Sequence, residues 1–253
     1  MGGAAAVLSA RRAAALAALL VALAAYGALA AELPELPSRA DLAVVALVVL
    51  PASLAVAWLL LPLARARALP LAGGAALAGL IWVGLELLGA DSVANVSKLL
   101  CLVLIGLWFA SFFEEAWWVG LVAVLVPWVD IWSVAAGPTR YVVDEKPGFF
   151  EEVSVSFAVP GEPSSVNLGP PDIIFFSLFL ATALLYRLRP GWTWLAMTAL
   201  LAVTLVIVWE WDVAGLPALP AVCLGFLVAN GDRLWRDFQA ARAARRDEAP
   251  TGE

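Results

Sequence analysis

The sequence predicts an all-α protein, a polytopic transmembrane helical bundle of about eight spans. Of its 253 residues, 63% are hydrophobic and only 14% are charged, and the mean hydropathy is +0.92. Soluble domains are about 45–50% apolar and about 25% charged. The apolar residues form continuous runs rather than the alternation of barrel strands, which indicates helices. This composition excludes a soluble enzyme, a nucleic-acid-binding protein and a disordered chain.

The predicted spans are apolar runs of about 20 residues, the length that crosses a bilayer as a helix. They cover residues 13–31, 42–63, 71–90, 97–113, 116–136, 170–187, 191–209 and 216–231. Glu114 and Glu115 interrupt the stretch from Val96 to Ala136, and they predict a tight turn between two spans. The first run follows Arg11 and Arg12 and ends in small residues, so it also fits a cleaved signal peptide. Its length favours a retained helix.

The chain divides by these runs into three parts. Residues 1–115 form N-terminal transmembrane helices with four spans. Residues 116–231 form a second transmembrane half that contains the loop 137–169, and residues 232–253 form a basic tail. The loop includes Val153, Val155 and Phe157 in alternation with two serines, which predicts a short hairpin or edge strand.

The distribution of positive charge predicts which ends of the spans face the cytoplasm. With the N-terminus inside, eleven arginines are cytoplasmic, whereas Arg39, Lys98, Arg140 and Lys146 are outside. We therefore expect a multi-pass protein of the plasma membrane, in contact with the lipid bilayer, whose N- and C-termini are both cytoplasmic. The loop 137–169 lies outside in this arrangement, and no nucleic-acid partner is expected.

The residue types that are missing narrow the possible chemistry. The sequence has no histidine and two cysteines, Cys101 and Cys223, both in apolar runs. A Ser-His-Asp triad, a His-ligated haem, an H-E-x-x-H zinc site and a disulfide framework are therefore excluded. We expect no metal and no cofactor. The cysteines are interpreted as small buried apolar residues, and any hydrolytic chemistry falls to carboxylates.

Two aspartates lie inside predicted spans, where an ionisable side chain costs several kcal/mol and suggests a function. Asp130 is about six residues from the end of its span, which places it roughly 10 Å within the membrane. Asp172 opens the next span and is followed by four apolar residues. The other acids, Asp41 among them, are at span ends, where solvation accounts for them. Glu86 is also close enough to a span end to reach the interface.

The two spans are consecutive and antiparallel, so both aspartates are expected near the same end of the bundle. Two carboxylates that share a site can divide the roles of general base and general acid. The spacing alone also permits a proton or cation pathway, or structural hydrogen bonding.

Three segments resemble motifs of one family. Gly169-Pro170-Pro171-Asp172-Ile173-Ile174-Phe175-Phe176 resembles the presenilin version of the GxGD motif, and Pro217-Ala218-Leu219-Pro220 reproduces the PALP motif. Asp130-Ile131-Trp132-Ser133, followed by Gly137-Pro138-Thr139-Arg140, resembles the segment around the family's first catalytic aspartate. The chain thus resembles the presenilin and signal peptide peptidase family of intramembrane aspartyl proteases, as a presenilin-like prokaryotic member. The resemblance covers about residues 120–231.

The resemblance implies a presenilin-like fold and an intramembrane aspartic endopeptidase, so residues 116–231 become the catalytic transmembrane half. Asp130 and Asp172 would form the catalytic dyad. Residues of the two motifs would shape the active site and receive substrate: Gly169, Pro171, Pro217, Ala218, Leu219 and Pro220. The predicted orientation is that of signal peptide peptidases, so the expected substrates are signal-peptide remnants or single-span helices whose N-terminus is cytoplasmic.

The chain departs from the family pattern at two positions beside the aspartates. Pro171 stands where the family has glycine, and Val129 stands where it has tyrosine. Two alternatives therefore accompany the protease prediction. One is a catalytically inactive relative that binds membrane helices, and the other is a small transporter that uses the aspartate pair for protons or cations.

Overall fold

The protein is helical throughout the described residues apart from one β-hairpin. The computed structural model describes residues 8–136, 152–211 and 217–247. The elements in chain order are α1 Ala10–Leu29, α2 Ser38–Val44, α3 Leu50–Leu60, α4 Ala68–Leu87, α5 Asp91–Phe109, α6 Ala116–Ala136, β1 Val155–Ala158, β2 Ser165–Leu168, α7 Pro170–Leu185, α8 Pro190–Trp211 and α9 Leu219–Asp247.

This is a membrane protein by the length and apolarity of its helices. Six helical segments among the described residues are long and apolar enough to cross a membrane. They are Ala10–Glu32, Ser38–Arg65, Ala68–Leu87, Asp91–Phe112, Ala116–Ser133 and Pro190–Trp211. Helix α7 is apolar but shorter, and α9 is apolar only in its first part. Helix occupies each of the eight predicted runs in the described ranges.

The helical segment Ser38–Arg65 is not a regular α-helix along its whole length. Helices α2 and α3 are joined by a π-helical turn at Val45–Val49, and a 3₁₀ turn at Leu61–Arg65 follows α3. In a π turn, each backbone hydrogen bond joins residues five positions apart instead of four. Such turns are commonly found near functional sites. Asp41 lies one turn before the π-helical turn and is only 1% exposed. The expectation that solvent accounts for Asp41 is therefore wrong.

Helix α7 lies at the centre of the bundle. Every residue from Phe176 to Ala183 is buried, which is typical of a helix that is apolar on all sides. It packs against α5, α8 and α9. The Phe179 ring stacks on the Phe226 ring of α9 with centroids 4.7 Å apart.

Two glycines allow the helices around α7 to approach closely. A Cβ atom at Gly106 of α5 would lie 2.6 Å from the Ser177 Cβ of α7. A Cβ atom at Gly225 of α9 would lie 2.6 Å from the Met197 Cα of α8. Small residues at helix crossings are the usual means of tight packing in membranes.

The hairpin caps one end of the bundle, and arginines gather at the other. Arg189 donates two hydrogen bonds to Asp232, at 2.6 and 2.9 Å, and joins the α7–α8 turn to α9. The Arg189 guanidinium holds the pKa of the Asp232 carboxyl below its usual value. Asn230, which is fully buried, accepts from the Arg189 backbone N–H and donates to Thr193.

Several boundaries differ from the predicted ones. Helix α5 begins at Asp91, not at residue 97, so Lys98 lies two turns inside it and is 4% exposed. Lys98, which the charge count placed at the outer side of the membrane, is thus a buried residue within the helix. Helix α9 continues past residue 231 to Asp247. The break at Glu114 and Glu115 and the strand at Val155 and Phe157 are confirmed, while Val153 belongs to a short helical turn.

The close contact at Gly106 gives a prediction about stability. Gly106→Ala forces α5 away from α7, and overpacking of this kind costs about 1–3 kcal/mol. We expect a lower midpoint of thermal unfolding in detergent. Gly84→Ala is the matched control, because a Cβ atom at Gly84 meets nothing within 4 Å. Equal midpoints for the two variants would contradict this packing.

Candidate functional site

Asp172 is held at the start of the central helix by the backbone. Gly169 has an extended conformation, with φ −64° and ψ 152°, and precedes α7. Its N–H donates to Asp172 Oδ2 at 3.1 Å, and its carbonyl accepts from the Asp172 N–H, also at 3.1 Å. The Asp172 side chain is 9% exposed. One carboxylate oxygen is therefore fixed by the helix start.

The two prolines before Asp172 are compatible with this geometry. Pro170 and Pro171 are the first two residues of α7. Their missing N–H groups would have no partner within the helix, because the first turn has no preceding carbonyls. Pro171 is thus compatible with a regular helix start before Asp172.

Asp130 reaches the same place from α6. It is partly exposed, but its Oδ2 atom is buried and has no hydrogen-bond partner within the described residues. It lies close enough to Asp172 for the two carboxyl groups to influence each other electrostatically. Pro127, inside α6, removes the helical hydrogen bond to the Ala123 carbonyl one turn before Asp130. Val129, the other departure from the family pattern, is 63% exposed on the outside of α6.

The PALP segment lies beside Asp130. The backbone N–H of Leu219, at the first position of α9, is directed at the Asp130 carboxyl group. The Ala218 carbonyl accepts from the Ala221 and Val222 N–H groups, at 3.0 and 3.3 Å. The groups available to the site are the N–H donors of the first turn of a helix.

The structure therefore brings Asp130, Asp172, Gly169 and Leu219 together. Pro217, Ala218 and Pro220 flank Leu219 and are partly exposed, while Pro171 is exposed on α7. The segment 137–140, which the resemblance also used, lies outside the described residues.

Cys223 is a member of the site that the sequence interpretation missed. It is fully buried on α9, within range of the charges of both aspartates. Its position four residues after Leu219 places it one turn further along the same face of the helix. The four-residue spacing from the PALP motif could have indicated this position from the sequence, but the cysteine was interpreted as a small apolar residue.

The hairpin leads directly into Asp172. Strands β1 and β2 are antiparallel, with Ser156 opposite Asn167 and Ala158 opposite Ser165. The backbone N–H and carbonyl of Ser156 both bond to the Asn95 side chain, at 2.9 and 2.8 Å. They therefore face away from β2. In an antiparallel pair, opposite residues either exchange both bonds or both face away.

The outer edge of β2 follows from this pattern. Asn167 and Ser165 direct their backbone groups away from β1, and within the described ranges these groups form no backbone hydrogen bond on that side. Two residues after Asn167 comes Gly169, whose groups on the same edge are bonded to Asp172. The open edge of the hairpin thus ends at the Asp172 carboxylate.

Comparison with family models, curated proteins and solved structures gave no match for this chain. In the described part of the chain, no group of three or more His, Cys, Asp or Glu side chains could hold a metal ion.

The juxtaposition of the two carboxyl groups gives a prediction about stability. Asp172→Asn keeps an acceptor for the Gly169 N–H and removes a buried carboxyl group that faces Asp130. We expect this variant to be at least as stable as the natural protein, because two neighbouring carboxyl groups no longer compete for ionisation. Thermal unfolding in detergent at pH 7 measures it.

Asp232→Asn is the control for this measurement. It loses the ion pairs with Arg189 and Arg236, so its unfolding midpoint should fall. Because the pKa of Asp232 is depressed in the folded state, its stabilisation is present above about pH 4 and is lost as the pH falls further. A destabilised Asp172→Asn protein would contradict the proximity of the two carboxylates.

Proposed function

We propose that this protein is an intramembrane aspartyl protease of the presenilin and signal peptide peptidase type. The observation that supports it is the meeting of Asp130 and Asp172 from separate helices, with Asp172 buried at the head of the central helix. A structural role would favour hydrogen-bonded carboxyl oxygens, yet the buried Asp130 Oδ2 has no partner among the described residues.

The site has the groups that peptide hydrolysis needs. One carboxylate removes a proton from water, whose oxygen attacks the peptide carbonyl carbon, while the other carboxyl group protonates the carbonyl oxygen. The C–N bond then breaks as the nitrogen receives a proton. Asp172, anchored by Gly169, has one fixed oxygen, and Asp130 has one unoccupied oxygen. This difference lets the two groups take different roles.

The remaining features of the proposal concern the membrane. The eight helical segments are proposed as eight spans of a presenilin-like bundle. The arginine-rich end, with both termini, is proposed as cytoplasmic and the hairpin end as external, in the plasma membrane. The proposed substrates are signal-peptide remnants or single-span helices whose N-terminus is cytoplasmic.

A helical substrate must become extended before its peptide bond can be cut, and the hairpin has one edge suited to hold it. The outer edge of β1 is already bonded to side chains of α1 and α5. The edge proposed for substrate is instead that of β2, because its free groups lead to Asp172.

The first experiment is a cleavage assay with a single-span helical peptide reconstituted in lipid. The natural protein is compared with Asp130→Ala and Asp172→Ala, and Asp232→Ala is the control for loss of an aspartate elsewhere. We expect cleavage by the natural protein and the control, and no cleavage by either dyad variant. Cleavage that survives in Asp130→Ala or Asp172→Ala would contradict the proposal.

The role of β2 has its own test. Ser165→Pro removes an N–H that points away from β1, a position where an edge strand tolerates proline. Loss of one hydrogen bond to substrate costs about 0.5–1.5 kcal/mol, or roughly two- to tenfold in KM. Ser165→Ala, which keeps the N–H, should leave KM unchanged. Equal KM values for the two variants would contradict pairing at this edge.

A further inference from the structure

The outer edge of β1 is occupied by side chains from the N-terminal half of the chain. Tyr26 of α1 donates its hydroxyl hydrogen to the Ala158 carbonyl at 2.8 Å. Asn95 of α5 bonds both backbone groups of Ser156. Lys98, one turn further along α5, donates to the Ser154 carbonyl at 3.0 Å and also to the Glu152 carbonyl.

These contacts follow the spacing of a β-strand. Residues 156 and 158 alternate along β1 and direct their backbone groups away from β2, and residue 154 continues this spacing just before the strand. Each meets one of the three side chains. Asn95 reproduces the N–H and C=O of a neighbouring strand, since its amide is both donor and acceptor. Lys98 and Tyr26 supply further donors to carbonyls on either side.

All three N–H donors of the Lys98 ammonium group have acceptors. Its Nζ atom also lies 3.4 Å from Glu86 Oε1 of α4, so its three N–H donors face three acceptors. It lies 5.1 Å from the centroid of the Trp82 ring, a cation–π distance. Burial of an ammonium group in a membrane segment is costly. The contacts with the hairpin give a reason for a lysine that is only 4% exposed at this position.

The hairpin turn is held as well. The Gly161 N–H donates to the Ala30 carbonyl at 2.8 Å. Gly161 has φ +73°, and a Cβ atom there would lie 2.7 Å from the Glu35 backbone. Glycine at this position lets the turn sit against the segment between α1 and α2. A cavity of about 630 Å³ adjoins the β1 edge, and Tyr26, Asn95 and Lys98 line it.

We propose that Tyr26, Asn95 and Lys98 are positioning residues that act together as a substitute strand on β1. We name these three residues the edge clamp. The edge clamp closes β1 to any second strand and keeps the hairpin folded before substrate arrives. The edge of β2 is then the one presented to an extended peptide. An unpaired edge is a template for non-productive pairing, so closing one edge also fixes the side on which substrate enters.

The clamp acts on binding, not on the chemical step. Without it, the hairpin is folded for only part of the time, and the apparent affinity for substrate falls by that fraction. If the folded fraction drops to about one tenth, KM rises about tenfold while kcat is unchanged. This kinetic expectation rests on the proposed protease function, whereas the effect of the clamp on the hairpin does not.

The experiment combines hydrogen exchange with kinetics for Asn95→Ala, Asn95→Asp and Ser111→Ala. Asn95→Ala removes both bonds to Ser156, and Asn95→Asp keeps an acceptor for the Ser156 N–H. Ser111 is the control, because it lies at the other end of α5 and bonds to Trp108. We expect the amides of residues 155–158 to exchange fastest in Asn95→Ala, at an intermediate rate in Asn95→Asp, and as in the natural protein in Ser111→Ala.

The outcomes separate the two proposals. Unchanged exchange in a folded Asn95→Ala protein overturns the clamp, whether or not the natural protein cleaves peptides. Faster exchange with a raised KM and unchanged kcat supports the clamp. Faster exchange with unchanged KM, or with a fall in kcat alone, overturns its role in presenting β2 and leaves the protease proposal standing. A natural protein that cleaves nothing overturns the protease proposal, and exchange alone then decides the clamp.

Discussion

The bonds between Gly169 and Asp172 are the interaction on which the site depends. A carboxyl group within a membrane segment needs polar partners, and the start of a helix supplies them because its first N–H groups have no carbonyl within the helix. Gly169 both donates to Asp172 and accepts from it. The same pattern recurs at α9, whose first N–H, at Leu219, is directed at Asp130. Two helix starts thus make room for two carboxylates in an apolar bundle, and the central helix α7 and its neighbours α6 and α9 converge where those starts lie.

The two halves of the chain contribute differently to this arrangement. The C-terminal half carries both carboxylates and the strand that leads to one of them. The N-terminal half carries neither, but α5 packs closely on α7 at Gly106 and holds the hairpin through Asn95 and Lys98. In this account, α5 helps to fix α7, which carries Asp172, while the clamped hairpin presents the edge of β2 beside it. This gives the first four helical segments a role that their hydrophobicity alone does not suggest.

Much of the fold follows from apolar runs, since membrane burial demands long continuous helices. The proximity of Asp130 and Asp172 also follows from the alternation of successive spans. What the sequence could not give is set by tertiary contacts. The sequence places Lys98 near the outer end of a span, but its N–H donors meet acceptors that come from Glu86 and from residues more than fifty positions away. The sequence places Asp41 at the end of a span, where solvent would reach it, yet tertiary packing buries its side chain. Strand alternation predicts β1, whereas which edge stays open is decided by Asn95, whose partner in the hairpin no periodicity indicates.

The most direct measurement of the central claim is the binding of a peptide analogue in which a hydroxyl group replaces the scissile bond. Such a molecule imitates the tetrahedral intermediate and needs both carboxyl groups at once. Binding can be followed by photo-crosslinking in lipid for the natural protein, Asp130→Asn, Asp172→Asn and Asp232→Asn. If Asp130 and Asp172 form one site, the natural protein and Asp232→Asn are labelled and compete with unlabelled analogue, and the two dyad variants are not. Equal labelling of all four proteins would contradict a shared site.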